Sequence, residues 1–211
     1  WSSEMAYVLG FFAADGYMTL NKRGAHFWNI QITDRSILRN IKKAIQSGHK
    51  ISVRIRSGDE RPIYRLQIGS KEMCEDLREL WMKELKTKSM TVPSVPDRYV
   101  GHFIRGYFDG DGHVWVGLAH KGRNTRSLTI QTVFTSCSYA FLHTLRARLE
   151  AAGIFKGVLS QGKRNYYRLT YSVNNSLKLY EFMYNGQDSL REGLFLGRKK
   201  KIFEKYIKMR E

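Results

Sequence analysis

The sequence predicts an α+β fold made of two copies of an αββαββα unit, and three observations carry that expectation. A short pattern occurs twice, as Gly10-Phe11-Phe12-Ala13-Ala14-Asp15-Gly16 and as Gly106-Tyr107-Phe108-Asp109-Gly110-Asp111-Gly112, 96 residues apart. The residues beyond each copy are also alike: Ile30-Gln31-Ile32-Thr33-Asp34 matches Thr132-Val133-Phe134-Thr135-Ser136, and Tyr64-Arg65-Leu66 matches Tyr167-Arg168-Leu169. The hydrophobic period then switches between helical and strand spacing in the same order after both.

Each element is set by its spacing. Residues 5–15 read as a helix, and residues 17–20 and 26–33 alternate apolar with polar around an Asn21-Lys22-Arg23-Gly24 turn, which makes a hairpin. Ile37, Leu38, Ile41 and Ile45 return to helical spacing. Residues 51–56 and 63–68 alternate again, and Met73, Leu77, Leu80 and Trp81 end the unit as a helix. The second unit repeats the order with a helix over 103–111, strands over 113–119 and 128–135, and a helix carrying Phe141, Leu142, Leu145 and Leu149. Strands near Val158 and over 167–173, a helix over 177–184 and a last helix over 196–209 complete it. Two antiparallel sheets, each with helices on one face, result. Val92-Pro93-Ser94-Val95-Pro96-Asp97 holds two of the three prolines, which stop helices and stiffen extended connections. The expected organisation is a first unit over 1–92, a linker over 93–98 and a second unit over 99–211.

Composition narrows the function. Lys and Arg number 36 against 19 Asp and Glu, and the resulting net charge of +17 favours a polyanionic partner over an acidic protein substrate. An apolar share of 42% with 13% aromatics can bury a core, so disorder is excluded as the dominant state. Cys74 and Cys137 are the only cysteines, which argues against a disulfide scaffold or structural zinc and fits a reducing compartment. The stretch 7–14, free of polar residues, is far short of the roughly 18 residues a membrane span needs, and no signal peptide is expected at the start of the sequence. The expectation is a soluble protein.

Helices cover one side of each sheet, so alternation tells what the other side carries. Trp28, Ile30 and Ile32 oppose Asn29, Gln31 and Thr33; Ile51, Val53 and Ile55 oppose Ser52, Arg54 and Arg56; Tyr64, Leu66 and Ile68 oppose Arg65 and Gln67. In the second unit Leu128, Ile130 and Phe134 oppose Thr129, Gln131 and Thr135, and Leu169, Tyr171 and Val173 oppose Arg168, Thr170 and Ser172. Arg can bond guanine O6 and N7 together, and Gln or Asn adenine N6 and N7, so these faces suit a duplex major groove. Lys22, Arg23, Lys121, Arg123, Arg126, Lys163 and Arg164, in the hairpin loops, would meet phosphates. The competing reading, an ordinary solvated sheet face, stays open at this stage.

Gly10 and Ala14, like Gly106 and Gly110, are four residues apart and form a flat stripe along which two helix backbones can approach. Gly costs about 1 kcal/mol against Ala inside a helix, and tight packing of the two motif helices on each other would offset it. That packing would bring their C-terminal carboxylates, Asp15 and Asp111, side by side. Each is followed by a glycine, Gly16 or Gly112, able to take the left-handed conformation that ends a helix. Two carboxylates at negative helix ends repel, and a bound divalent metal removes the penalty. A lone Asp-Gly is an ordinary turn dipeptide; two copies at repeat spacing are not.

Leu9-Gly10-Phe11-Phe12-Ala13-Ala14-Asp15-Gly16 and Ile104-Arg105-Gly106-Tyr107-Phe108-Asp109-Gly110-Asp111-Gly112 resemble the two signature helices of the single-chain LAGLIDADG homing endonucleases, and the order of elements after each motif is also that family's. The resemblance implies a pseudo-twofold monomer whose two signature helices pack at the unit interface and whose sheets form a saddle on a long, nearly non-repeating double-stranded DNA site. It implies one hydrolysed phosphodiester per strand, cut across the minor groove with short 3′ overhangs, and no protein or membrane partner. The implied metal set is Asp15 and Asp111 with the preceding Ala14 and Gly110, holding Mg²⁺, with Mn²⁺ or Ca²⁺ as substitutes and Ca²⁺ without cleavage. The family's earlier motif acid falls on Ala13 and Asp109, and Asp109 is not counted as catalytic. The family's lysine near the scissile phosphates matches Lys88 and, more loosely, Lys199, where Arg198, Lys200 and Lys201 compete. Its water-ordering polar residue matches Asp34 and Ser136, for which helix N-capping is an equal alternative. Location in an organelle or a prokaryotic cytoplasm is implied.

No histidine is needed as a base; His26, His102, His113 and His120 are scattered. The leading rival is an intron RNA maturase or a non-cleaving DNA-binding protein of the same fold. An intein would need a nucleophilic first residue and a terminal His-Asn pair; Trp1-Ser2 and Met209-Arg210-Glu211 leave only a detached endonuclease domain possible.

Overall fold

A computed structural model describes residues 1–55, 58, 60–80, 90–119, 127–162, 165–185 and 193–210. It is α+β: α1 (Ser3–Asp15), β1 (Gly16–Leu20), β2 (His26–Ile32), α2 (Arg35–Ala44), β3 (Ile51–Arg54), β4 (Ile63–Gly69) and α3 (Lys71–Leu80), then α4 (Asp97–Asp111), β5 (Gly112–Ala119), β6 (Ser127–Ser136), α5 (Tyr139–Ala151), β7 (Val158–Gln161), β8 (Tyr167–Tyr171), α6 (Val173–Tyr184) and α7 (Gly197–Lys208). Each half contributes one four-stranded antiparallel sheet, in order β1-β2-β4-β3 and β5-β6-β8-β7. The repeat seen in the sequence is a repeat of topology.

By compactness the chain forms two units. One holds α1 to α3, residues 93–110 and residues 193–195; the other holds residues 90–92, Asp111, β5 to β8, α5, α6 and α7. In the first, α2 and α3 pack on the sheet, and Phe12 stacks on Trp28 with ring centroids 5.0 Å apart. Ile30, Ile37, Leu38, Ile41 and Leu66 fill the space between, all at most 1% exposed. In the second, α5, α6 and α7 cover the sheet over Ile130, Phe134, Leu145, Leu169 and Phe203. Among the described residues no helix is long and apolar enough to cross a membrane.

Register confirms the alternation. Trp28 faces Met18 and Ile68, and Gln31 faces Arg65, so the apolar and polar sets lie on opposite sides of the first sheet. Thr129 and Gln131 face Gly117 and Trp115, and Thr135 faces Arg168, on the polar side of the second.

Several details differ from the sequence expectations. β3 was expected over 51–56; residue 56 lies outside the described residues, and residue 55 falls beyond the strand, which ends at Arg54, because Arg54 pairs with Ile63, the first residue of its partner strand. Ser172 and Val173 do not extend β8: Ser172 is the N-cap of α6 and Val173 its first residue. Ser176 holds that entrance in place, its hydroxyl donating to the Tyr171 carbonyl at 3.0 Å and accepting from the Thr132 amide at 3.0 Å. The helix carrying the second motif begins at Asp97, six residues ahead of the expected Phe103, so the proline segment ends sooner than expected. Gly16 is not left-handed; its φ is −86° and ψ 156°. Glycine is required there for space, since a Cβ would run into the Phe12 ring.

Candidate nucleic-acid and metal site

The site starts from the two motif helices. A Cβ on Gly10 would strike the Phe103 carbonyl oxygen and lie 2.8 Å from its carbon and 3.0 Å from the Tyr107 nitrogen. A Cβ on Gly106 would strike the Tyr7 carbonyl oxygen and lie 2.8 Å from the Phe11 nitrogen. The contact is reciprocal: Tyr7, Gly10 and Phe11 are the repeat equivalents of Phe103, Gly106 and Tyr107 at the 96-residue offset. Such self-complementary exchange is what a local twofold produces. At the next turn a Cβ on Gly110 would collide with the Ala14 Cβ and lie 3.2 Å from Oδ2 of Asp15. The backbone of α4 therefore runs beside the Asp15 carboxylate, and Asp111, exposed, is the next residue in the chain.

Buried polar groups stiffen this helix pair. The Tyr7 hydroxyl donates to Oδ2 of Asp109 at 2.8 Å, and Asp109 is 1% exposed, so it faces away from solvent. Arg105, fully buried, lies over the Tyr7 ring at 5.2 Å and donates through Nε to the Leu194 carbonyl at 3.0 Å. Sequence reasoning missed this arginine; its signal was a cation inside an otherwise apolar helical run.

In the second unit α7 delivers Lys199. It is 5% exposed, on the same helical face as the buried Phe203 and Tyr206, and its Nζ donates to the Gly112 carbonyl at 2.6 Å. Arg198 and Lys201 are exposed and Lys200 pairs with Glu204 at 3.4 Å, so of the four competing cations Lys199 alone turns inward, onto the residue next in the chain to Asp111.

The expected base-reading and phosphate-binding residues divide between the two sheets. Thr33, Arg54, Gln131 and Arg168 are exposed, and Gln31, Arg65, Gln67, Thr129 and Thr170 are half-buried on the polar sides of their sheets. Gln31 donates to the Tyr17 hydroxyl, and Arg168 donates to the Tyr166 hydroxyl at 3.0 Å. Lys22 and Arg23 are exposed on a turn closed by Asn21, whose Oδ1 accepts from Arg23 and Ala25 amides at 2.9 Å, with Gly24 at φ 80°. Arg56, Lys88, Lys121, Arg123, Arg126, Lys163 and Arg164 lie outside the described residues.

Three placements bear on the expectations. Asn29 is 1% exposed and cannot present its amide to a groove; in a central strand between Tyr17 and Gln67, it donates to Thr19 Oγ1 and the Phe27 carbonyl at 3.3 Å each. Asp34 is the N-cap of α2, its Oδ1 accepting from the Ser36 amide at 3.0 Å and the Ser36 hydroxyl at 2.6 Å. Ser136 is 7% exposed, shares the core-side parity of Phe134, and accepts from the Ser138 amide at 3.0 Å, while Ser138 itself caps α5. Conversely, register adds Tyr17 and Thr19 from β1, and His113 and Trp115 from β5, to the polar faces. The parity was available in the sequence, since each motif glycine fixes which residues of the next strand point inward.

Among the described residues no cluster of three or more His, Cys, Asp or Glu side chains could hold a metal. What the helix ends offer is hard oxygen, a carboxylate beside a backbone cleared by glycine, which fits a Mg²⁺-type ion completed by phosphate and water better than a soft-ligand metal.

Known proteins agree with this architecture. The chain aligns over 98% of its length with the I-LtrWI LAGLIDADG homing endonuclease bound to target DNA (TM-score 0.61, 13% identity, 89% of that chain). It aligns over 96% with the LAGLIDADG meganuclease I-AabMI bound to uncleaved DNA (TM-score 0.61, 16% identity, 88% of that chain). I-SmaMI bound to uncleaved DNA in the presence of calcium ions aligns over 96% (TM-score 0.56, 13% identity, 89% of that chain). At such identity the likeness is one of fold. A probable translation initiation factor IF-2 of Thermococcus kodakarensis is 28% identical over 138 residues, 62% of this chain, and the chain spans only 11% of that protein. The model of the LAGLIDADG-like domain matches residues 2–82 and again 98–183, one match on each glycine-bearing helix and the sheet behind it. The chain therefore belongs to the LAGLIDADG family, as a single chain carrying two copies of its domain.

Proposed function

We propose that this protein is a site-specific endonuclease that binds double-stranded DNA as a monomer and hydrolyses one phosphodiester in each strand of a long asymmetric target, leaving short 3′ overhangs. The observation that carries the reading is the glycine-cleared approach of α4 to the Asp15 carboxylate. A carboxylate at a helix end that carries negative partial charge is relieved by a bound cation.

In this reading Asp15 and Asp111, with the backbone at Ala14 and Gly110, hold divalent metal of the Mg²⁺ kind. When bound, such an ion neutralises charge at the scissile phosphate and acidifies a water. The carboxylates orient it; Lys199, anchored on the Gly112 carbonyl, and Lys88 add positive charge where it develops on the phosphate. Asp34 and Ser136 shape the strand-to-helix turns and take no part in the chemistry. Gln31, Arg54, Arg65, Gln67, Gln131 and Arg168 read bases, and Lys22 and Arg23 meet phosphates.

The test is to select cleaved sites from a randomised duplex library with purified protein in Mg²⁺. Enrichment of one long, non-palindromic site cut in both strands is expected. Retention of DNA with no cutting in Mg²⁺ or Mn²⁺ would favour a non-cleaving binding protein instead. The match to 11% of an initiation factor favours a second reading of context only: an endonuclease segment carried inside a longer host chain.

A further inference from the structure

We propose that Trp115 determines specificity by reading the C5-methyl group of one thymine; this rests on the endonuclease reading above. Register sets Trp115 opposite Gln131 and Gly117 opposite Thr129 on the polar face of the second sheet, while Val114, 2% exposed, points to the core. The indole is 41% exposed among polar neighbours. The equivalent position in the first unit is Thr19, so the repeat did not impose a large aromatic there.

The indole is also held. A Cβ on Gly117 would run into its Cζ2 and lie 2.7 Å from Cη2 and 2.9 Å from Cε2. Glycine inside a strand weakens the strand and marks a close approach. Here the approach is that of the Trp115 ring, folded along the sheet. A fixed apolar plate beside an exposed amide matches one base-pair edge in the major groove: thymine alone carries a methyl group, and glutamine bonds adenine N6 and N7. Trp115 thus takes the thymine and Gln131 the adenine of the same or an adjacent pair.

The experiment uses the site returned by library selection, with each thymine replaced singly by deoxyuridine and Kd measured in Ca²⁺. Loss of one methyl at one or two positions should weaken wild-type binding about fourfold, the factor for burying one methyl-sized group. Trp115→Ala should bind the thymine and uracil duplexes equally at those positions. Gly117→Ala, which keeps the indole but displaces it, should lose the same sensitivity and decides the matter if Trp115→Ala fails to fold. A site whose methyl sensitivity survives unchanged in these variants overturns the inference alone. A library that returns no site overturns the endonuclease reading, and this inference with it.

Discussion

At the scale of single residues, the interior holds groups whose chemistry is fixed by what surrounds them. The Tyr171 hydroxyl is buried with no hydrogen-bond partner among the described residues, and burial, helped by the nearby Glu150 charge, raises its pKa well above the ordinary 10.0. A phenol with a raised folded-state pKa favours the folded protein fully below pH about 10, and that contribution is lost as pH rises further. Tyr171→Phe should therefore leave neutral-pH stability unchanged or raise it by up to about 1 kcal/mol, and should flatten the alkaline fall. Urea melts at pH 8 and pH 11 check both; a steeper alkaline loss in the variant would contradict them. Lys199 has a different fate. Lys199→Ala removes an ammonium set on the strand that begins just after Asp111, so cutting should slow about 100-fold, with retention of DNA changed less than threefold. Equal losses in both would make Lys199 a packing residue.

At the scale of elements, the most constrained contact is between α1 and α4. Gly106→Ala gains about 1 kcal/mol of helix propensity, but the new Cβ meets the Tyr7 carbonyl and the Phe11 nitrogen, backbone atoms that cannot rotate away. The clash wins, and unfolding in urea should show a net loss of about 1–3 kcal/mol. Gly48→Ala, with open space around the glycine, should change stability by less than about 0.5 kcal/mol. Matching losses would mean that the helices do not meet through glycine. This contact was legible beforehand because small residues repeat every four positions in both motifs. The boundaries were less so. Val173 is β-branched and continues an alternating run, yet it opens α6, because the Ser176 hydroxyl ties that turn to Tyr171 and Thr132, a tertiary contact invisible in the local pattern. Asn29 has the alternation of a surface residue and the burial of a core one, since alternation assigns a face but not what its neighbours cover.

At the scale of the whole molecule, the duplicated motif carried the α+β topology and its repeat, and the charge favoured a polyanionic partner. The site was legible only in part. Which of four adjacent cations turns inward depends on how α7 lies against β5, and spacing alone does not fix it. With a net charge of +17, binding should be dominated by counterion release: affinity for duplex DNA should fall by about 10³-fold or more between 50 and 200 mM salt. Titrations at four salt concentrations check this, and a flat dependence would rule out an extended phosphate footprint. The most direct measurement concerns Asp15 and Asp111, the carboxylates proposed to hold the metal. On a supercoiled plasmid carrying the selected site, wild-type protein in Mg²⁺ should produce linear DNA, while Asp15→Asn and Asp111→Asn should retain the plasmid and produce none. Linear DNA formed by either variant at the wild-type rate would contradict the account.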